Sequence, residues 1–324
     1  MRIIFLMRYI PANTELTYEL KDKMSWDWFT SLDTKVTSAI IAGGVSFSVA
    51  IIGERWKRYN EKRLHIEKLT DEHQYEEQRK IKESISKNKV QLLNAAESLN
   101  HRIWNLSINW EKEWHSSDNP NSPSYYQISF YYRLLNFFWW VFKVDKELVY
   151  LDTTLANASD LDFIKFLRLF PDAMCQVTLF DGVNYNTQHD TDHFFRHDLE
   201  KMVSAYCQDD DFPEFQEFES KFKEDGGKIT GMVKFIDDIK PNEKRLRWTR
   251  LYSLQLLIMT FSNIYGYEFQ YSDATKYKEI AKVLCKHKDG KAVLSNLYTL
   301  ISNMKLSNNE HIRIMSTATK AAVT

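Results

Sequence analysis

Residues 188–198 (QHDTDHFFRHD) carry the side chains of this chain that are best suited to chemistry. His189, His193 and His197 recur every four residues, so on a helix all three would share one face. Imidazoles at this spacing, with the carboxylate of Asp190 beside them, can bind zinc or another divalent metal ion. The alternative interpretation is structural, because capping and acidic residues are also typical of the first turn of a helix.

A second group of charged residues lies at 240–250, where Lys244, Arg247 and Arg250 surround Trp248. On a helix, Lys244, Arg247 and Trp248 would point in roughly the same direction and could bind a phosphate, a nucleotide or an acidic headgroup. The structural alternative is a solvated helix start that pairs with neighbouring acids. The formal net charge of the chain is −1, which argues against nucleic acid as the partner.

The composition favours a mainly α-helical fold. Only 9 glycines and 6 prolines occur in 324 residues, fewer than a sheet protein with many turns needs, and 44% hydrophobic residues can build a core. Cys175, Cys207 and Cys285 are odd in number and far apart, so they match neither a disulfide framework nor a metal knuckle. We therefore expect reduced thiols in the cytosol.

The first element of the predicted architecture is a transmembrane helix. Residues 36–53 (VTSAIIAGGVSFSVAIIG) form a run of 18 residues without a charge, and Glu54, Arg55, Lys57 and Arg58 follow at once. This is close to the shortest helix that can cross a hydrocarbon core of about 30 Å at about 1.5 Å per residue. The alternative is a buried helix in a soluble core.

Small residues within the span predict self-association. Ala39 and Gly43 are four residues apart, as are Gly44 and Ser48. Small residues at this spacing let two helices approach closely in lipid, where van der Waals packing drives association. The expected partners are therefore the lipid bilayer, a second copy of the span and, for the remainder of the chain, a protein.

The basic residues that follow the span predict its orientation. Arg55, Lys57 and Arg58 lie directly after it, so the positive-inside rule places residues 54–324 in the cytoplasm and the segment 1–35 outside. Met24 begins a short lead-in to the span (MSWDWFTSLDTK) and is the predicted physiological start.

The rest of the chain divides into four predicted segments. Residues 54–115 are a charged helical stalk, since 19 of the 36 residues at 54–89 are charged and none is glycine or proline, and a weak coiled coil is compatible with it. Residues 116–124 (SSDNPNSPS) are a turn-rich linker. A cytosolic helical domain follows at 125–316, with a tail at 317–324.

Within this domain, residues 125–144 contain 10 aromatic side chains and one charge in the middle, Arg133. Because that arginine would cost about 2.5 to 3.5 kcal/mol in a membrane, we predict the central buried helix of the domain, with an in-plane interfacial helix as the alternative. Ser159 predicts a helix over 159–169 that Pro171 ends, and 174–180 is the best strand candidate. Further helices are predicted at about 190–206, 213–224, 242–265, 274–286 and 290–304.

Three segments also carry a resemblance. YRLLNFFWW (132–140), ELVYLD (147–152) and DHFFRHDL (192–199), after a single span and a charged helix, resemble a group of bacterial proteins with one N-terminal transmembrane helix and a cytosolic helical domain. The resemblance covers roughly residues 35–205 and implies the bacterial inner membrane. Some similar proteins are suspected of a role in phage defence, as membrane effectors that disrupt the host envelope, and the group offers no catalytic residues to carry over.

The function predicted from these observations is that of a membrane-anchored cytosolic sensing or interaction protein that oligomerises through its span. One alternative is a membrane-tethered metal-dependent hydrolase built on the cluster at 189–198. Its adjacent His189 and Asp190 resemble the pair that binds one ion in metal-dependent phosphohydrolases. Another alternative is a nucleotide-binding or nucleic-acid-binding scaffold that uses Lys244, Arg247 and Arg250.

Overall fold

The computed structural model of the chain describes residues 33–116, 123–184, 194–207 and 211–323. These residues are helical or irregular, and no β-strand occurs among them, which confirms the prediction of a mainly α-helical fold. The chain divides into two compact units, Met1–Glu72 and His73–Thr324. Helix α1 (Thr34–Asn109) contributes residues to both units.

The other helices of the described ranges all belong to the second unit. They are α2 (Tyr125–Leu148), α3 (Ala158–Cys175), α4 (Arg196–Ser204), α5 (Phe215–Asp225), α6 (Thr230–Ile236), α7 (Arg247–Tyr265), α8 (Ala274–Leu284), α9 (Gly290–Asn303) and α10 (Glu310–Val323). Short 3-10 turns lie between several of them, at Trp110–Lys112, Thr153–Leu155, Val177–Phe180, Gly226–Ile229 and Glu268–Gln270.

In the first unit, the described residues 33–72 are helical almost from the start and exposed almost throughout. Within α1 lies a window that is long and apolar enough, by length and composition, to cross a membrane, and none of that window is buried. The core helix of a soluble protein would pass the same test of length and composition, but it would be mostly buried. Hydroxyl groups in this part bond to the helix itself: Ser38 donates to the carbonyl of Thr34 (2.7 Å) and Ser48 to that of Gly44 (2.8 Å).

The second unit is built around α7. Every residue of α7 from Arg247 to Ser262 is buried, polar residues included. Helices α3, α8, α9 and α10 pack against it. Phe261 illustrates this packing, because its ring lies 5.4 Å from both Phe163 and Phe170 of α3. The centre of the domain is therefore α7 rather than the predicted helix at 125–144.

Helix α2 is a packed helix, as predicted, and is buried on most of its faces. It begins with a capping box, in which Ser124 and Gln127 each accept a hydrogen bond from the other's backbone N–H. The guanidinium of Arg133 donates to the carbonyl of Ser98 in α1 (2.9 Å). A charge in this apolar helix is accommodated because a carbonyl of a neighbouring helix accepts from it.

Helix α3 corrects two predictions. It begins at Ala158 with Asn157 as the N-cap, two residues before the predicted cap Ser159, and it continues through Pro171 to Cys175. A proline in a helix removes one backbone hydrogen bond. The neighbouring residues Phe170, Ala173 and Met174 are fully buried, and their packing offsets this loss. The strand candidate at 174–180 is wrong, because the 3-10 turn Val177–Phe180 occupies most of it.

Candidate functional site

The histidine cluster is only partly within the described residues. His189, Asp190 and His193 lie outside them, whereas His197 is exposed in the first turn of α4. Helix α4 begins at Arg196, after Phe195 in extended conformation. Phe194 and Phe195 are not helical, so the prediction of one continuous helix from about 190 to 206 is wrong. The three histidines therefore cannot share one face of an unbroken helix.

Two described residues within the segment 188–198, Phe194 and Arg196, have structural contacts. Phe194 is buried against Phe235, with ring centroids 5.1 Å apart. Arg196 lies near three carboxylates, those of Asp172 (3.7 Å), Glu200 (3.3 Å) and Asp145 (4.0 Å). This part of the segment therefore fixes α4 against α2 and α3.

In the part of the chain that the structure describes, no group of three or more His, Cys, Asp or Glu side chains is arranged to hold a metal ion. The divalent-metal site stays a prediction, because most of its residues lie outside the described ranges. Metal content of the purified full chain, beside a His189→Ala, His193→Ala variant, tests it directly.

Arg247 is enclosed at the start of α7. Its guanidinium forms a two-bond pair with the Glu243 carboxylate (2.7 Å for each bond). It also donates to four main-chain carbonyls at the end of α6 and just after it, those of Lys234, Phe235, Asp237 and Asp238, at 2.6 to 3.1 Å. Arg247 therefore caps the carboxyl end of α6 and joins it to α7.

Arg250 lies deeper, with no exposed surface. Its guanidinium donates to the carbonyls of Ala173 (2.6 Å) and Gln176 (3.2 Å) at the end of α3 and stacks over the ring of Phe180 at 4.3 Å. Lys244 is exposed and precedes the helix instead of lying within it. The three predicted phosphate ligands thus do not meet on one accessible surface, and two of them satisfy carbonyls at helix ends.

The predicted packing residues of the span do not all share one face. At about 100° per residue, Gly43 lies within roughly 40° of Ala39 around the helix axis, whereas Gly44 and Ser48 lie about 140° to 180° from Ala39. Ser46 and Ala50 fall on the Ala39 side. All of these positions are exposed, and a Cβ atom built at Gly43 or Gly44 would meet nothing within 4 Å.

A groove in the second unit was not predicted. It has a volume of about 550 Å³ and lies between α1 and the carboxyl end of α2. Four lysines line it, Lys80 and Lys87 from α1 with Lys143 and Lys146 from α2. Ser84, Glu83 and Glu147 lie among them, and Tyr150 stands at the rim with 83% of its surface exposed.

Local sequence patterns do not predict this groove, because its residues come from two helices that are distant in the chain. The local signal is the spacing of the lysines on each helix: Lys143 and Lys146 are three residues apart near the end of α2, and Lys80 and Lys87 are seven apart in α1. Each spacing puts a pair on one side of its helix.

A larger cleft of about 710 Å³ lies beside α5 and α6, with Phe222, Val233 and Lys223 among its lining. The amine of Lys223 is paired with Glu219 at 2.9 Å. The cleft therefore offers a mostly apolar wall, and its chemistry is less defined than that of the lysine-lined groove.

Among the titratable groups outside these sites, the Cys175 thiol is the nucleophile with the most altered environment. Burial raises its pKa to about 12, although Arg250 and Arg196 lower it in part. A thiol with this pKa is protonated at neutral pH, so it is inert as a nucleophile.

Comparisons with known proteins give no assignment. No family model matches the chain, and no significant match was found among curated proteins or solved structures.

Proposed function

We propose that this chain is a single-pass membrane protein of the bacterial inner membrane, with its second unit acting in the cytoplasm as a sensing or interaction domain. One observation carries the proposal: residues 36–53 are uncharged, helical and not buried. An apolar helix without protein cover needs lipid, because so much apolar surface is unfavourable in water.

Two hydroxyl groups of the span are compatible with lipid. Ser38 and Ser48 each bond to a carbonyl of the preceding turn, so neither presents an unsatisfied donor to a hydrocarbon core. The basic residues Arg55, Lys57 and Arg58, all exposed on α1, support an orientation with the N-terminus outside.

Self-association through the span is the second part of the proposal. Ala39, Gly43, Ser46 and Ala50 form a stripe of small residues on one side of the helix, and close approach of a second copy along this stripe would bury it. Gly44 and Ser48 form a shorter stripe on another side. Signal or partner binding by the second unit would then favour assembly of the spans, and the resemblance to membrane effectors suspected in phage defence supports this mode of action.

Alkaline carbonate extraction of bacterial membranes that contain the full chain tests the anchor. We expect the chain to stay in the membrane pellet and a carboxyl-terminal tag to be protected from protease in intact spheroplasts. Release of the chain by carbonate would refute the anchor, whereas digestion of the tag in intact spheroplasts would refute the orientation alone.

A further inference from the structure

Two cations of the lysine-lined groove have no acidic partner in the part of the chain that the structure describes. Lys80 pairs with Glu77 (2.7 Å), and Lys87 approaches Glu147 (3.6 Å). Within the described ranges, no carboxylate lies within ion-pair distance of Lys143 or Lys146. Lys143 instead lies over the rings of Trp139 (4.4 Å) and Trp140 (5.2 Å). These cation–π contacts position its ammonium group without neutralising its charge.

The acids of the groove are already engaged. The Glu147 carboxylate accepts a hydrogen bond from the Asn88 side chain (2.8 Å) and faces Lys87, and Glu83 pairs with Arg79 (3.5 Å). Among the described residues, an anion in the groove would therefore meet uncompensated positive charge from α2, while the carboxylates of Glu83 and Glu147 already have partners.

A hydroxyl group adds a hydrogen-bond donor. Ser84 is one of the residues that line the groove, and its enclosed Oγ atom has no hydrogen-bond partner among the described residues. A buried hydroxyl without a partner costs free energy, so a ligand atom that accepts from it is favoured. Ser84 and the two lysines come from two helices that pack together.

We infer that this groove binds a small phosphate-bearing anion. Lys143 and Lys146 would supply the ammonium groups and Ser84 the neutral donor, a combination of ligands suited to phosphate oxygens. The volume of about 550 Å³ fits an organic phosphate, and Tyr150 and Leu151 offer apolar contact to the organic part. This site is independent of the proposed membrane anchor, because all its residues belong to the second unit.

Titration calorimetry with inorganic tripolyphosphate tests the inference, with the full chain in a neutral detergent. We expect saturable binding that weakens as salt is added, because phosphate contacts are screened. In a Lys143→Gln, Lys146→Gln variant the dissociation constant should rise about tenfold or more. Ser84→Ala should weaken binding by a smaller factor and leaves the charge unchanged.

A matched control carries the same change in charge elsewhere. Lys276 and Lys282 are exposed on α8, away from the groove, so a Lys276→Gln, Lys282→Gln variant should bind tripolyphosphate as the unmodified chain does. Equal weakening in the control and groove variants would overturn the inference, as would no saturable binding by the unmodified chain. Unchanged thermal unfolding of the groove variant shows that lost binding is not lost folding.

The phosphate could belong to a free small molecule or to a lipid headgroup, and a second arm separates these sources. The full chain is placed in nanodiscs of phosphatidylcholine alone or with phosphatidylglycerol, and tripolyphosphate is titrated again. Binding that phosphatidylglycerol suppresses in the unmodified chain assigns the groove to a headgroup, and binding that it leaves unchanged assigns it to a soluble phosphate. Both results support the inference, provided that the lysine variant loses the binding.

Discussion

The span at 36–53 and helix α7 are both helical and rich in apolar residues, but they differ in whether they contain charged residues. The span has no charged residue and no buried one, whereas the fully buried part of α7 contains Arg247 and Arg250. The difference lies in the surroundings. Protein carbonyls at the ends of α3 and α6 accept from the two arginines, and a hydrocarbon core would offer no acceptor.

The comparison shows that apolar content alone does not separate a membrane helix from a core helix. Hydroxyl groups bond within their own helix in both cases, as Ser253 does to Thr249 in α7, and what separates the two helices is the set of larger polar side chains that bond to other elements. In the span, Ser48 bonds to Gly44 in the preceding turn. In α7, the Gln255 amide reaches Asn100 of α1 (3.0 Å), and the Trp248 ring N–H reaches the carbonyl of Val283 (2.9 Å).

Removing the buried charge of Arg247 should have the largest effect. An Arg247→Leu change leaves the Glu243 carboxylate and the carbonyls of α6 without their donor, and we expect a loss of about 3 kcal/mol or more in the free energy of unfolding. Chemical denaturation of the full chain in neutral detergent measures it. Lys244→Leu, an exposed neighbour, should change stability by about 0.5 kcal/mol at most, and equal effects in both variants would contradict the capping role of Arg247.

The opposite change introduces a charge into the span. Val45 is 58% exposed, and Val45→Arg should cost about 2.5 to 3.5 kcal/mol of insertion free energy. Because the span is short and contains hydroxyl groups, its own insertion free energy is only modestly favourable. We expect a large part of the variant to move from the carbonate-resistant pellet to the soluble fraction. Val45→Leu is the matched control and should stay in the pellet. Equal partition of both variants would show that residues 36–53 are not in lipid.

Two single leucine variants sharpen the assignment of the packing face. Gly43→Leu should weaken self-association of the full chain in detergent about tenfold, roughly 1.4 kcal/mol, because it interrupts the longer stripe of small residues. Gly44→Leu should have a smaller effect. Analytical ultracentrifugation measures both variants, with Val49→Leu as the control. A larger effect of Gly44→Leu would move the interface to the other face.

The smallest predicted effect concerns His115, a buried group that stays neutral. Burial lowers the pKa of its imidazole below the usual 6.5, even though the ring donates from Nε2 to the carbonyl of Ile239 (2.9 Å). The unfolded chain therefore binds a proton near pH 6.5 that the folded chain does not, and stability falls as the pH drops through this value.

Thermal unfolding at pH 7.5 and pH 5.5 checks this prediction. The loss of melting temperature on acidification should be smaller in His115→Gln than in the unmodified chain. An equal loss in both would assign the acid sensitivity to other groups.

Local patterns predicted the helices well where the chain carries its own start and stop signals. Asp273 caps α8 through the backbone N–H of Lys276 (2.9 Å), and the predicted start at 274 is the observed one. The helix at 290–304 is likewise observed at Gly290–Asn303. The amphipathic pattern is local in both helices, and α8 has a side-chain cap as well, so the local sequence contains the signal.

Predictions failed where distant packing decides the outcome. From the local sequence, Pro171 predicts the end of a helix. Contacts of Phe170 with Phe137 (5.0 Å) and Phe261 (5.4 Å) nevertheless stabilise the helix on both sides of the proline. The local sequence predicts Arg247 and Arg250 to be solvated cations, because the carbonyl groups that bind them lie on other elements. The lysine-lined groove was missed for the same reason, since Ser84 and Lys143 meet only in the folded domain.

The long reach of α1 into the second unit has a consequence for synthesis of the chain. Asn100 accepts from Gln255, 155 residues later, and Glu97 accepts from Gln270, 173 residues later. At about 5 to 20 residues per second, a ribosome needs on the order of ten seconds or more between these partners. Helix α2 is available sooner, since Glu147 follows its partner Asn88 by 59 residues. The surroundings of α1 must therefore assemble in stages, with α2 first and the partners of Glu97 and Asn100 only after those further seconds of synthesis.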